Sequence, residues 1–121
     1  MYIIDSNIII YSYQEEFKYL RNIIANDNAF VSEISRVEVL GYHKLSYDEG
    51  LYFQELFEFM PMILPGKRTF DKAIEIRRKY NLKLGDSIIA ATAMEYQLSI
   101  YTRNLEDFER VIDLKCSNPV I

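Results

Sequence analysis

The chain has 121 residues, half of them hydrophobic, with four Gly and three Pro. A folded globular protein is expected, as a single domain over residues 1 to 121 with one real core. The formal net charge of −4 excludes a broad electrostatic grip on nucleic acid, though not a local one.

Residues 2 to 4 (Tyr-Ile-Ile) form a short apolar run of strand formers that Asp5 stops. A run apolar at every position suits a strand covered on both faces, as in a parallel sheet. Ser6 or Asn7 is suited to cap a following helix. Residues 15 to 25 carry apolar positions at 17, 20 and 24, which predicts a helix. Residues 26 to 28 (Asn-Asp-Asn) end it, and 29 to 32 read as a second strand. Ile34, Val37, Leu40, Gly41 and Leu45 follow at the spacing of one helix face. Residues 47 to 60 predict another helix, stopped by Pro61. Residues 62 to 64 read as a short strand closed by Pro65 and Gly66, and 69 to 80 as a basic helix. The helix at 86 to 96 is almost wholly apolar or small at first, which predicts burial. Residues 98 to 102 form a further strand, and 110 to 121 include an edge strand before Pro119. Strands alternating with helices predict a three-layer α/β/α domain with a mainly parallel central sheet.

No apolar run is long enough to span a bilayer, and no room precedes the first strand for a secretory signal. Cys116 stands alone and has no partner for an internal disulfide. A cytoplasmic protein that does not enter a membrane is the expectation.

Several acids stand where a bland reading explains them singly but not jointly. Asp5 ends the first strand. Glu38 is expected on or beside the apolar face of its helix, where a carboxylate needs a partner, a proton or a cation. A salt bridge to Arg36 or to a distant Lys is the plain alternative. Asp86 opens the most apolar helix, where simple N-capping is the competing explanation. Asn104, Glu106 and Asp107 follow the strand ending at Thr102 and could be a polar turn. In a parallel sheet, ends of strands and starts of helices meet at one edge, where ligands bind. Acids gathered there repel one another unless a cation joins them. Oxygen ligands without Cys or His suit a hard ion such as Mg²⁺ or Mn²⁺. His43 is the only His, which excludes a metal-free ribonuclease working through two histidines. No Gly-rich phosphate loop and no Ser nucleophile elbow is present.

Four pieces carry a resemblance: Ile-Ile-Asp-Ser-Asn-Ile-Ile-Ile at 3 to 10, Ser-Arg-Val-Glu-Val-Leu-Gly at 35 to 41, Leu-Gly-Asp-Ser-Ile-Ile-Ala-Ala-Thr-Ala at 84 to 93, and Tyr-Thr-Arg-Asn-Leu-Glu-Asp-Phe-Glu-Arg-Val at 101 to 111. In this order they resemble the PIN-domain nucleases, and among those the VapC-type ribonuclease toxins. The resemblance implies a PIN-like α/β/α fold, an acidic pocket for Mg²⁺ or Mn²⁺, and metal-dependent endonucleolytic cleavage of RNA. It also implies a homodimer held inactive by an antitoxin that reaches the acidic pocket. Asp5, Glu38 and Asp86 match the family's first three acids. At the fourth position many members carry an acid two residues after the matching Thr, where this chain has Asn104. Asp107 is the nearer acid, reaching a metal directly or through water. The resemblance makes Asp5, Glu38, Asp86 and Asp107 catalytic, with Asp5, Asp86 and Asp107 on the metal. Ser6, Asn7, Thr102 and Asn104 support them.

Residues 67 to 83 hold seven of the 14 Lys and Arg against two acids. Arg77, Arg78, Lys79 and Lys83 are candidates to steer RNA phosphates, or simply coat a solvated helix face. The aromatic helix at 47 to 60 offers a partner surface or packs in the core. Three other readings compete. A phosphoacceptor receiver domain needs adjacent acids after the first strand, where Ser6 follows Asp5. A haloacid-dehalogenase-type phosphatase needs an acid where Asn7 stands. An RNA-processing nuclease that is not a toxin, or a PIN-like module that binds without cutting, is the third.

Overall fold

The computed structural model describes all 121 residues. The elements are β1 (Tyr2–Ile4), α1 (Ser6–Ser12), a 3-10 turn (Glu15–Phe17), α2 (Leu20–Ile24), β2 (Ala29–Ser32), α3 (Glu33–Leu40), α4 (Tyr47–Phe59), β3 (Met62–Ile63), α5 (Lys67–Tyr80), α6 (Leu84–Tyr96), β4 (Ser99–Tyr101), α7 (Leu105–Phe108) and β5 (Cys116–Ser117). The five strands form one parallel sheet in the order β3-β2-β1-β4-β5. The sheet-centre strand β1 pairs with β2 on one side and β4 on the other.

Successive residues of a strand face opposite ways. Ile3 therefore joins the core made with α5, α6 and α7, while Ile4 joins the one made with α1, α2 and α4. Two cores on one sheet are what an every-position apolar strand requires. No helix is long and apolar enough to cross a membrane.

Three expectations need correction. The helix over 15 to 25 is broken: Lys18 and Arg21 each bond three residues back, so a tight turn precedes the five-residue α2. The cap of α1 is Asp5, one residue before Ser6, because Asp5 is still extended and its carboxylate accepts the Ser6 N–H. The buried face of α3 is Ser35 and Val39, whereas Val37 is 61% exposed and Leu45 lies beyond the helix. The small Ser35 lets α3 lie close against α1, where it meets Ser6. His43 sits in the turn between α3 and α4, exposed and edge-on to Tyr42.

Candidate active site

Asp5 leaves β1 at the carboxyl edge of the sheet and is only 5% exposed. Its burial is matched by donors. Oδ1 accepts the Ser6 N–H at 2.8 Å; Oδ2 accepts the Thr102 hydroxyl at 2.7 Å and the Asn7 amide at 3.2 Å. Thr102 is in turn fixed by the Asn104 N–H, which donates to its Oγ1 at 2.9 Å. Burial nevertheless dominates, and with the nearby carboxylates of Asp86 and Glu38 it raises the Asp5 pKa to about 6.

Asp86 is the third residue of α6, which begins at Leu84 with Lys83 in the capping position and no side-chain cap. The capping explanation of Asp86 is thereby overturned. The carboxyl pKa is raised by burial first, then by Glu38 and Asp107; Lys83 and an Asn104 hydrogen bond pull the other way. Asp107, on α7, behaves oppositely. The Asn104 amide, Arg110 and Lys83 hold its pKa below the usual value. Asn104 Nδ2 donates to Asp107 Oδ2 at 2.9 Å and to Asp86 Oδ2 at 3.2 Å, so one amide bridges two acids.

Glu38 lies in the second half of α3, not at its start, and is exposed. Desolvation therefore does not force a partner on it, and Arg36 pairs with Glu33 instead. What holds it at this edge is Ser6, whose hydroxyl donates to Glu38 Oε1 at 2.7 Å and lies 2.9 Å from Ser35 Oγ. Its other oxygen rests against α6: a methyl group on Gly85 would stand 2.6 Å from Oε2.

The four acids thus come from β1, α3, α6 and α7 to one edge, joined by Ser6, Thr102 and Asn104. No three acidic, His or Cys side chains lie close enough to ligate one ion directly. The donor chemistry still suits a hard cation, since every group is oxygen and the two less exposed carboxylates disfavour being charged together. Magnesium is commonly held by one or two carboxylates with waters completing the shell.

Among the basic candidates, only Lys83 acts on the site, through Asp86 and Asp107. Arg77 donates to the Leu82 carbonyl at 3.2 Å, Lys79 lies over the Tyr80 ring, and Arg78 is exposed. Sequence reasoning passed over Ser35, Gly85, Arg103 and Arg110. Ser35 and Arg110 sit one helical turn from Glu38 and Asp107, which is the signal that would have found them.

A sequence profile of the PIN domain matches residues 2–114. No curated protein matches the chain. Among solved structures, a toxin-antitoxin complex from Klebsiella pneumoniae contains a chain similar at TM-score 0.79 and 27% identity, with 99% of this chain and 98% of that one covered. VapBC2 from Rickettsia felis, bound to a fragment of promoter DNA, gives TM-score 0.80 at 17% identity, covering 97% of each. VapBC-1 from nontypeable Haemophilus influenzae gives 0.77 at 21%, covering 97% and 96%. These last two likenesses show the fold. With the profile matched over nearly its whole length, the chain belongs to the PIN domain family.

Proposed function

We propose that the protein is a Mg²⁺- or Mn²⁺-dependent endoribonuclease and the toxin of a toxin-antitoxin pair. The observation that carries the reading is the convergence of Asp5, Glu38, Asp86 and Asp107 at one sheet edge, with Asp5 and Asp86 both pushed toward the neutral form. Carboxylates so arranged favour a cation. Asp5 and Asp86 would hold the ion. Asp107, already satisfied by Asn104 and Arg110, orients the amide that contacts Asp86. When bound, such an ion would supply activation of a water and neutralisation of charge developing on the phosphate. Glu38, held by Ser6, would accept a proton from the attacking water as its oxygen bonds to phosphorus, and the ester oxygen released as the phosphorus–oxygen bond breaks would leave as a hydroxyl with a proton from solvent. Thr102 and Asn7 keep Asp5 oriented throughout.

The toxin assignment rests on the likeness, at 27% identity over nearly the whole of both chains, to a chain of the toxin-antitoxin complex from Klebsiella pneumoniae. A groove between α2 and α4 supports a protein partner, an antitoxin or a second copy. It is lined by Ile24, Tyr52, Leu56 and Phe59, the last 68% exposed, while Phe53 and Phe57 of the same helix fill the core. The test has two arms. Purified protein should cut RNA with Mg²⁺ or Mn²⁺ and stop with chelator. Expression should slow a bacterial host, with relief from the product of an adjacent small gene. Absence of cleavage under every divalent ion sinks the nuclease; cleavage with harmless expression makes it a processing enzyme.

Gly85 gives a sharper check of the Glu38 role. Ala is favoured over Gly within a helix by up to about 1 kcal/mol, so Gly85→Ala should leave stability unchanged or higher. The added methyl displaces the end of a flexible side chain rather than backbone, so the fold survives while Glu38 is pushed off Ser6. Cleavage should fall by about 10-fold or more. A variant that melts higher and cuts as well as wild type removes Glu38 from the mechanism in this position.

A further inference from the structure

Lys83 and Arg110 stand beside Asp86 and Asp107, and on the other side the backbone of Arg103 meets Asn7, a neighbour of Asp5. Arg103 differs from most of the others. Lys18, Arg36, Lys67, Lys72 and Arg110 each pair with a carboxylate, and Arg21 and Arg77 donate to backbone carbonyls. Arg103 does neither, although it immediately follows Thr102, whose hydroxyl donates to Asp5. Its backbone N–H donates to Asn7 Oδ1 at 3.2 Å, and Asn7 donates to Asp5. The side chain instead lies over the ring of Tyr11, with the guanidinium carbon 4.2 Å from the ring centroid and Nη1 on the Tyr11 hydroxyl. Phe17 packs against the same ring at 5.0 Å.

With Nη1 on the Tyr11 hydroxyl, the guanidinium keeps its Nη2–Nε edge without a protein partner, and the stack on the ring reduces the freedom lost when that edge binds. Planar forks match phosphate in a two-point manner. A single-stranded RNA crossing the acidic edge must place further phosphates along its path, where they need a cation not already neutralised. We propose that Arg103, held on the Tyr11–Phe17 shelf, is a phosphate-binding residue for single-stranded RNA beside the cleaved linkage. It sets how tightly substrate is held rather than how fast the bond breaks. This subsite rests on the nuclease reading of the same edge.

The test measures binding of a labelled, mixed-sequence single-stranded RNA to the full chain without divalent ions, as a function of salt. Arg103→Gln should weaken binding by about 10-fold, the value of one charge-assisted contact. It should also lower the salt slope by about 0.7, as for one lost phosphate on a single strand. Arg103→Lys should keep the slope and lose part of the affinity, because the charge remains and the fork does not. Tyr11→Leu should weaken binding less than Arg103→Gln. Arg68→Gln, exposed at the start of α5, should bind as wild type. In cleavage with divalent ion, Arg103→Gln should raise KM and leave kcat within about 2-fold. Wild-type affinity and slope in Arg103→Gln overturn the subsite while leaving the nuclease standing. Wild-type protein that binds RNA but never cuts it overturns the nuclease and leaves the contact. A wild type that neither binds nor cuts removes both.

Discussion

Asp86→Asn is expected to reduce RNA cleavage by at least about 100-fold while the protein, measured without divalent ions, melts at the same temperature or higher. Asp86 caps nothing, since α6 starts two residues earlier, so no capping bond is lost. Its favourable interaction with the helix N-terminus, a few tenths to about 1 kcal/mol, is lost. Against this stand burial and two neighbouring carboxylates, Glu38 and Asp107, all of which make its ionised form unfavourable. An amide accepts from Asn104 as the carboxylate does, so the bridge to Asp107 can persist. The amide weakens cation binding. Millimolar Mn²⁺ should therefore raise the melting temperature of wild type by mass action and that of Asp86→Asn much less. Near-wild-type cleavage by the variant, or equal stabilisation of both proteins by Mn²⁺, would falsify the assignment of Asp86 to the ion.

Without divalent ions the protein should be more stable near pH 5 than near pH 7. Asp5 carries the sign. Its folded pKa is about 6 against 3.8 in the unfolded chain, so the native state binds the extra proton between those values. Stability therefore falls as pH rises from about 4 through 6, and the penalty is fully present above that. The full difference, from below pH 4 to above pH 6, corresponds to about 3 kcal/mol, of which about 1.3 kcal/mol falls between pH 5 and 7, or roughly 5 °C in melting temperature for a domain of this size. Asp86, also raised, acts in the same direction. Glu33 and Asp107 have lowered values, so their contributions are lost as pH falls from about 4.5 and about 3.8, at and below the acid end of this window. A divalent ion reverses the trend by favouring the ionised carboxylates. Melts across pH 4.5 to 7.5, with chelator and with Mn²⁺, read both halves. A chelated protein that gains stability steadily from pH 5 to 7 contradicts the buried, proton-accepting state of Asp5.

The sequence by itself determined the sheet and its two-sided burial. Tyr2-Ile3-Ile4 has no polar position to face water, so β1 had to be central, and the alternation of strand and helix made the sheet parallel. The same logic located Asp5, because a carboxylate ending a buried parallel strand falls at the carboxyl edge whatever the loops do. Only the tertiary structure decided the rest of the edge. Glu38 was expected to be constrained by burial, yet it is exposed and tied through Ser6 and Gly85, contacts between residues 32 and 47 positions apart that no local periodicity encodes. The helix carrying Asp86 begins at Leu84, which changes a cap into an interior carboxylate, because its start follows the tight linker from α5 rather than side-chain capping chemistry. Asn104 stands where a fourth acid was sought. Its amide bridges Asp86 and Asp107 because a short helix after β4 turns Asp107 back toward α6. Periodicity fixes which face a residue occupies within its own element. The meeting of side chains from four elements depends on how those elements pack, and that packing was decided by the two cores and not by the acids themselves.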